Sequence, residues 1–317
     1  MKLNDFELRG AIMMTNYNKQ PLNIEVSSLR ESDSNKITTS DLESKTKDIL
    51  DNKIHGICFS PYMDNDNPDL KIIVSDDQIN SRLEIVESST EWIRTFSCSH
   101  GNENIPRLSK QKGLKTLVGA WLSDDMESNE EEILNLIQVA KEGHADIVAV
   151  GNELLLREEL HEDQLIEYIN RVKKELPDIP VGYVDAYYIF RDYPTVADAC
   201  DVILSNCYPF WECCSIEYSL DYMKHMYQIA KTVAKGKRVI ITETGWPTIG
   251  EKYGGAQPSY ENAMRYFIET YEWAKEDDID IFYFSSFDED WKVTDEGEYG
   301  SSWGIWDKNG TNKFIVK

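Results

Sequence analysis

Residues 239–248 of the chain read "VIITETGWPT". The first four residues are β-branched, a composition that favours a pleated, buried strand, and the fifth is a carboxylate, Glu243. Gly245 follows and allows a sharp turn. Because a charge is costly to bury without a partner, the pattern indicates a strand that holds Glu243 at an open edge of the fold.

Short apolar runs of this kind recur along the chain and alternate with helical patterns. Eight runs are predicted to be strands: residues 54–62, 92–98, 116–122, 146–152, 181–188, 202–208, 239–242 and 280–287. Four amphipathic runs are predicted to be helices: 129–143 (capped by Asn129 and stopped by Gly143), 162–176, 215–236 and 259–276. Eight strands alternating with helices favour a closed parallel (β/α)8 TIM barrel over an open doubly wound sheet. No GxGxxG motif follows an early strand, which weakens the dinucleotide-binding alternative.

The first fifty residues do not follow this alternation. Residues 8–16 and 22–30 are compatible with a short hairpin, and residues 38–53 read as a capped helix. We therefore expect a single domain, in which residues 1–53 form an N-terminal extension packed on a barrel of residues 54–317. The helix between strands five and six is expected to be reduced to roughly residues 194–199.

The composition excludes several classes of partner. The 317 residues carry a net charge of −24, whereas nucleic acids and anionic membranes require a basic surface. Neither a leader-like apolar stretch near the N-terminus nor a run of about 18 apolar residues is present. We expect a monomer without membrane or nucleic-acid partners, either cytoplasmic or secreted after removal of a leader.

The cysteines point to a reduced compartment rather than to a metal site. Cys58, Cys98 and Cys207 lie in apolar, strand-like runs, where a free thiol acts as a small hydrophobic group. No CxxC pair with a partner pair is present, so a zinc site is not expected.

A second strand ends on a glutamate. In "DIVAVGNELLLRE" (146–158), the fourth predicted strand ends in Gly151, Asn152 and Glu153. Barrel active sites lie at the C-terminal ends of the strands, so Glu153 and Glu243 can face one another across one cleft. Two carboxyl groups, one protonated and one ionised, are the minimum machinery for cleaving a glycosidic bond, and their proximity separates their pKa values.

The other strand ends supply side chains suited to a sugar. They are Asp185, Tyr187 and Tyr188 after strand five, Asn206, Tyr208 and Trp211 after strand six, and Glu289, Trp291 and Lys292 after strand eight. Aromatic faces stack on the apolar face of a sugar, and a few polar groups fix its orientation. The set predicts a carbohydrate cleft.

Five motifs resemble glycoside hydrolase family 17, the β-1,3-glucanase and β-1,3-glucan transglycosylase family, in its microbial form. They are "GICFSPY" (56–62), "IRTFSC" (93–98), "VAVGNE" (148–153), "ITETGWPT" (241–248) and "FSSFDEDWK" (284–292). They occur in the family's order and span about residues 54–306.

The resemblance implies a retaining double displacement on laminarin-type β-1,3-glucan through a covalent glycosyl-enzyme. Glu243 resembles the nucleophile and Glu153 the general acid/base. Tyr208 and Arg94 would support the nucleophile, and Asn152 would contact the sugar's 2-hydroxyl. The residues expected to bind substrate are Asn152, Asp185, Tyr188, Tyr208, Trp211, Trp246, Glu289 and Lys292. The family needs no metal or organic cofactor, so none is expected.

Two alternatives remain open from the sequence. The same two glutamates serve a β-1,3-glucanosyltransferase, whose acceptor-side aromatics would be among Trp211, Trp246, Trp303 and Trp306. A non-catalytic carbohydrate-binding barrel would keep the aromatics and lose at least one glutamate. The sequence does not distinguish attack at the chain end from attack within the chain.

Overall fold

Eight parallel strands close into a barrel in sequence order in the computed structural model, which describes residues 38–64 and 66–315. The strands are β1 Ile54–Cys58, β2 Thr90–Arg94, β3 Lys115–Ala120, β4 Ile147–Asn152, β5 Val181–Ala186, β6 Val202–Asn206, β7 Val239–Thr244 and β8 Ile281–Tyr283. β1 pairs with both β2 and β8, which closes the ring. The predicted TIM barrel is confirmed.

Helices follow the strands as the alternation predicted. They are α1 Thr39–Asp51, α2 Asp76–Val86, α3 Ile105–Gln111, α4 Met126–Lys141, α5 Glu162–Glu175, α6 Ile189–Asp192, α7 Pro194–Ala199, α8 Ser219–Val233, α9 Tyr260–Glu276 and α10 Val293–Glu296. The reduced segment between β5 and β6 is confirmed as α7, which is preceded by the single turn α6. None of the helices in the described part of the chain is long and apolar enough to cross a membrane.

The helix predicted at residues 38–53 is confirmed as α1, whose N-cap Thr38 accepts a hydrogen bond from the backbone N–H of Asp41. The predicted hairpin at residues 8–16 and 22–30 lies outside the described residues. The division of the chain at residue 53 stays a prediction.

The start of α4 differs from its prediction. Asp125 caps this helix by accepting from the backbone N–H groups of Glu127 and Ser128. Asn129, the predicted cap, lies inside the helix and bonds to the backbone N–H and carbonyl of Ser123. The helix ends as predicted, because Gly143 adopts a φ of 83°, a conformation that glycine reaches without penalty.

Strands β4 to β7 are buried along their whole length. Helices cover the outside of a TM barrel while side chains fill its interior, so parallel strands read as continuous apolar runs. The three cysteines predicted to act as small hydrophobic groups, Cys58, Cys98 and Cys207, are free and buried.

β4 and β7 each contain one residue more than the strand they pair with. The extra residue lies shortly before the glutamate in each case. Ala149 and Asn152 in β4 face Gly182 and Val184 in β5. In the same way, residues 241 and 243 of β7 face the adjacent residues 205 and 206 of β6. Bulges of this kind change the direction in which side chains point at the rims of barrels. Consecutive residues of one strand can therefore both reach the barrel mouth.

A buried carboxylate on α4 stabilises the neighbouring part of the barrel rim. Glu132 accepts hydrogen bonds from the side chains of Ser97 and Ser99 at 2.5 and 2.6 Å. It also accepts from the backbone N–H groups of Cys98 and Trp121 at 2.7 and 3.0 Å. One side chain therefore ties the segments after β2 and β3 to a helix.

Candidate active site

Glu243 lies in β7, near its C-terminal end, and contacts a cation and a hydroxyl donor. Arg94, at the end of β2, forms an ion pair with Oε1 of Glu243 at 2.8 Å. The hydroxyl of Tyr208 donates to Oε2 at 2.8 Å. Both groups complement a negative charge on Glu243 and fix its orientation.

Glu153 follows β4 and is 1% exposed. Its backbone adopts a φ of 53°, a left-handed conformation that is strained for a residue with a side chain. Nδ2 of Asn206 donates to Oε1 of Glu153 at 2.8 Å. Oδ1 of the same amide accepts from Thr242 at 2.9 Å, and this second bond determines which end of the amide faces Glu153.

Two connections, each combining side-chain bonds with backbone proximity, lead from one glutamate to the other. Arg94 pairs with Glu243 through Nη1 and donates through Nη2 to Oδ1 of Asn152 at 2.8 Å, next to Glu153 in the chain. Asn206 bonds to Glu153 and is the register partner of Glu243. The structure therefore brings the two carboxyl groups into one buried network at the C-terminal ends of β4 and β7.

The charged pair predicted after β8 reaches the same mouth. Nζ of Lys292 lies 2.5 Å from Oε2 of Glu289, and both side chains are nearly buried. Oε1 of Glu289 accepts from the indole of Trp291 at 3.0 Å and from the hydroxyl of Ser60. Burial opposes a charge on Lys292, but the carboxylates of Glu289, Glu296 and Glu243 hold its pKa above the usual value.

Glu296 on α10 is a further carboxyl group here, which was not predicted from the sequence. Trp303 donates to its Oε2 at 2.8 Å. Burial raises the pKa of Glu296 to about 7, Lys292 opposes the shift, and Glu243 adds to it. Glu296 lies in an acidic run with Asp295 and Glu298, so charge pattern alone does not single it out.

The structure places two predicted sugar ligands away from solvent. Asp185 is 0% exposed and accepts from the hydroxyl of Tyr183 and from the backbone N–H of Ala186 at 2.7 Å. Tyr188 is also buried, with its ring 5.3 Å from that of Tyr187. Asp185 therefore bonds to Tyr183 and to its own strand, and its predicted contact with the substrate stays a prediction.

Trp246, which was expected to bind substrate, is covered by other aromatic rings. It is 1% exposed, and its ring lies 5.3 Å from that of Phe210 and 5.4 Å from that of Tyr266. Its indole N–H donates to the carbonyl of Gln257. The indole is covered because the chain turns back after Gly245, where a Cβ atom would lie 2.1 Å from the carbonyl oxygen of Phe284.

The other expected acceptor-side tryptophans are buried as well. Trp211 and Trp303 pack around Phe210, and Trp306 packs on Phe287. The ring of Tyr208 lies 5.7 Å from that of Trp303. This aromatic cluster therefore positions the hydroxyl that contacts Glu243.

Trp121 is the exposed tryptophan at this mouth, with 41% of its surface accessible. It directly follows β3, and the guanidinium carbon of Arg157 lies 4.8 Å from the centre of its ring. Arg157 in turn donates to the backbone carbonyl of Asn152. In the sequence, Trp121 lies inside the predicted strand 116–122, so no signal marked it as an exposed residue at the barrel mouth.

No group of three or more His, Cys, Asp or Glu side chains within residues 38–64 and 66–315 is arranged to hold a metal ion.

A buried carboxyl group behind the site makes stability depend on pH. Glu212 accepts from Tyr222 and, at 3.3 Å, from Tyr187, while its Oε1 has no hydrogen-bond partner among the described residues. Burial raises its pKa from 4.5 to about 7, although both tyrosine hydroxyls lower it. The proton on Glu212 therefore stabilises the fold fully below pH 4.5, and this contribution is lost as the pH rises through 7.

We expect Glu212→Gln to remove this dependence, because glutamine keeps the acceptor without the charge. The free energy of unfolding of the wild type, relative to the variant, should fall by on the order of 2–3 kcal/mol between pH 5 and pH 8. Urea unfolding of both proteins at the two pH values measures the difference. A constant difference between the proteins would mean that Glu212 does not titrate in this range.

Two buried glutamates at the ends of β4 and β7 of a closed barrel are the arrangement that a glycoside hydrolase of the two-carboxylate type requires. Residues 56–304 match the model of the BtgE/BtgC glycoside hydrolase domain. The chain belongs to this family, and through it to glycoside hydrolase family 17.

Curated relatives and a solved structure agree with this assignment. The chain is 30% identical over 260 residues to a glucan 1,3-beta-glucosidase of Candida albicans, covering 74% of this chain and 84% of that protein. It is 27% identical over 263 residues to one of Saccharomyces cerevisiae, covering 74% and 83% of the two chains. The family 17 β-1,3-glucanosyltransferase of Rhizomucor miehei superposes with a TM-score of 0.75 at 25% identity, covering 84% and 98%.

Proposed function

We propose that the protein cleaves β-1,3-linked glucan with net retention of configuration. The observation that carries this proposal is the network that joins Glu153 and Glu243 through Arg94, Asn152 and Asn206. The relatives whose names state a substrate act on β-1,3-glucan, which supports the choice of linkage. Glycan specificity is otherwise a property of the cleft and not of the barrel.

In the first step, Glu243 attacks the anomeric carbon while Glu153 gives its proton to the glycosidic oxygen. The carbon–oxygen bond to the leaving sugar breaks, and a covalent ester to Glu243 forms. In the second step, Glu153 takes a proton from water, which attacks the anomeric carbon and releases Glu243. A retaining enzyme requires the two carboxyl groups about 5–5.5 Å apart.

The neighbouring residues orient both the nucleophile and the sugar. Arg94 and Tyr208 hold the two oxygens of Glu243. The nucleophile therefore stays in the orientation that the reaction needs, without rearrangement. Oδ1 of Asn152 accepts from Arg94, and we assign its Nδ2 to the 2-hydroxyl of a sugar bound over Glu243. Glu289 and Lys292 bind further hydroxyls beside the cleavage point.

The test is the product profile on laminarin over time, with cellulose as the matched β-1,4-glucan. We expect sugar release from laminarin at least about tenfold faster than from cellulose, as a linkage-specific cleft requires, and a first-formed product in the β configuration by NMR. A mono- or disaccharide from the earliest times would indicate attack at chain ends, and a ladder would indicate internal attack. An α-configured first product would contradict the retaining mechanism.

A second candidate is transfer of the glycosyl group to another sugar in place of water. Two observations favour it: the likeness to the Rhizomucor miehei glucanosyltransferase and the exposed ring of Trp121 beside the turn that carries Glu153. An exposed indole at this point offers a stacking surface for an acceptor sugar. Products longer than the substrate at high oligosaccharide concentration would identify transfer.

A further inference from the structure

The buried pair of Tyr183 and Asp185 on β5 has no place in the two-step reaction. β5 lies between β4, which leads to Glu153, and β6, which ends in Asn206. Asp185 and Ala186 are in register with Ser205 and Asn206. The carboxyl group of Asp185, which is 0% exposed, therefore lies beneath Glu153, the proposed acid/base. It also lies beside β6, the strand whose Asn206 orients Glu153.

A chain of hydrogen bonds connects this pair to the turn of the acid/base. The hydroxyl of Tyr183 accepts from the backbone N–H of Leu155 at 2.9 Å, two residues after Glu153. The same hydroxyl donates to Oδ2 of Asp185. Oδ1 of Asp185 accepts from the backbone N–H of Ala186 at 2.7 Å, which anchors the carboxyl group to its own strand.

The turn needs such support because its backbone is strained. A residue with a side chain in the left-handed region costs on the order of 1–3 kcal/mol and persists only where the surroundings hold it. Glu153 has a φ of 53°. Its backbone N–H bonds to the carbonyl of Val184 at 2.8 Å, and Arg157 holds the carbonyl of Asn152 at 2.5 Å. The bond from Leu155 to Tyr183 holds the far end of the same turn.

Charged and polar groups surround the pair. Glu153 and Arg157 face Asp185 from the β4 side, and Tyr183 and Tyr188 contribute from β5 and its end. Burial is the main cause that raises the pKa of Asp185 to about 8, and the adjacent Glu153 adds to it. The two carboxyl groups are therefore electrostatically coupled neighbours.

We propose that Tyr183 and Asp185 are positioning residues for the general acid/base: Asp185 orients the Tyr183 hydroxyl, which holds the 153–155 turn so that the Glu153 carboxyl reaches the glycosidic oxygen. The proposal rests on the proposed function, because it assigns the role of acid to Glu153. In this role, neither side chain needs to contact the substrate.

The experiment uses Tyr183→Phe, which removes only the hydroxyl, and two substrates. One is a laminari-oligosaccharide, whose leaving sugar needs a proton; the other is a 2,4-dinitrophenyl β-laminaribioside, whose leaving group does not. A misplaced acid should lower kcat/KM about 10²-fold on the first substrate and less than about threefold on the second. Asp185→Asn should move both values in the same directions.

Tyr283→Phe is the matched control, since Tyr283 is a buried tyrosine of β8 that packs on Phe267 of α9. It should leave both rates unchanged. Equal losses of Tyr183→Phe on the two substrates, or no loss on either, would overturn the positioning role. A wild type that is inactive on both substrates would instead overturn the proposed function, so the two failures are distinguishable.

Discussion

Glu243→Gln is expected to lower sugar release from laminarin by about 10⁴-fold or more, the scale seen when a covalent nucleophile is removed. An amide cannot form the glycosyl ester, so the double displacement has no first step. Glutamine still accepts from the Tyr208 hydroxyl, which bonds to this side chain at 2.8 Å. Reducing-sugar assays over long incubation measure the residual rate.

Glu243→Ala should be equally inactive and also less stable. Alanine leaves the guanidinium of Arg94, which is 1% exposed, without its carboxylate, and an uncompensated buried charge costs about 3–5 kcal/mol. Thermal unfolding therefore separates the two variants, while Glu272→Ala, on the exposed face of α9, controls for loss of a surface carboxylate. Equal sugar release from the wild type and both Glu243 variants would exclude this residue as the nucleophile.

Glu153→Ala is expected to lose about 10²–10⁴-fold on laminarin, the usual contribution of a general acid. The same variant should retain most of its first-step rate on a dinitrophenyl glycoside, because that leaving group departs without a proton. The glycosyl-enzyme then accumulates, since no base activates water.

Azide is the diagnostic addition for this variant. It attacks the anomeric carbon of the glycosyl-enzyme, forms a carbon–nitrogen bond and releases Glu243 without needing a base. We expect azide to accelerate turnover of Glu153→Ala and to yield a β-glycosyl azide, detectable by NMR. An α-glycosyl azide, or unchanged laminarin hydrolysis by the variant, would contradict the roles given to the two glutamates.

The sequence predicted the architecture well because the signals of the fold are local. Alternating apolar runs and capped helices identify a barrel, and both glutamates are recognisable at strand ends. The partners of Glu243 and Glu153 were harder to assign, since they come from other strands: Arg94 from β2 and Asn206 from β6. Only the family resemblance, and not the spacing of residues, suggested that Arg94 and Tyr208 support Glu243.

Two of the expected substrate ligands are covered by protein, and one physical cause accounts for both. Asp185 and Trp246 were expected to reach a sugar because they lie at or just after strand ends, yet both side chains are buried. In a strand buried on both faces, no alternation of polar and apolar residues shows which side chains point into the barrel. Trp121 was overlooked for the same reason, because exposure cannot be inferred from position alone.

The sequence by itself determined the barrel and the two strand ends that carry the carboxyl groups. The tertiary structure alone decided which residues reach the site, because one extra residue in β4 and one in β7 changes the side-chain alternation just before each glutamate. Strand side chains alternate with a period of two, so such a bulge lets neighbours such as Thr242 and Glu243 act on the same network. A bulge depends on pairing with the adjacent strands, and that pairing exists only once the barrel has closed.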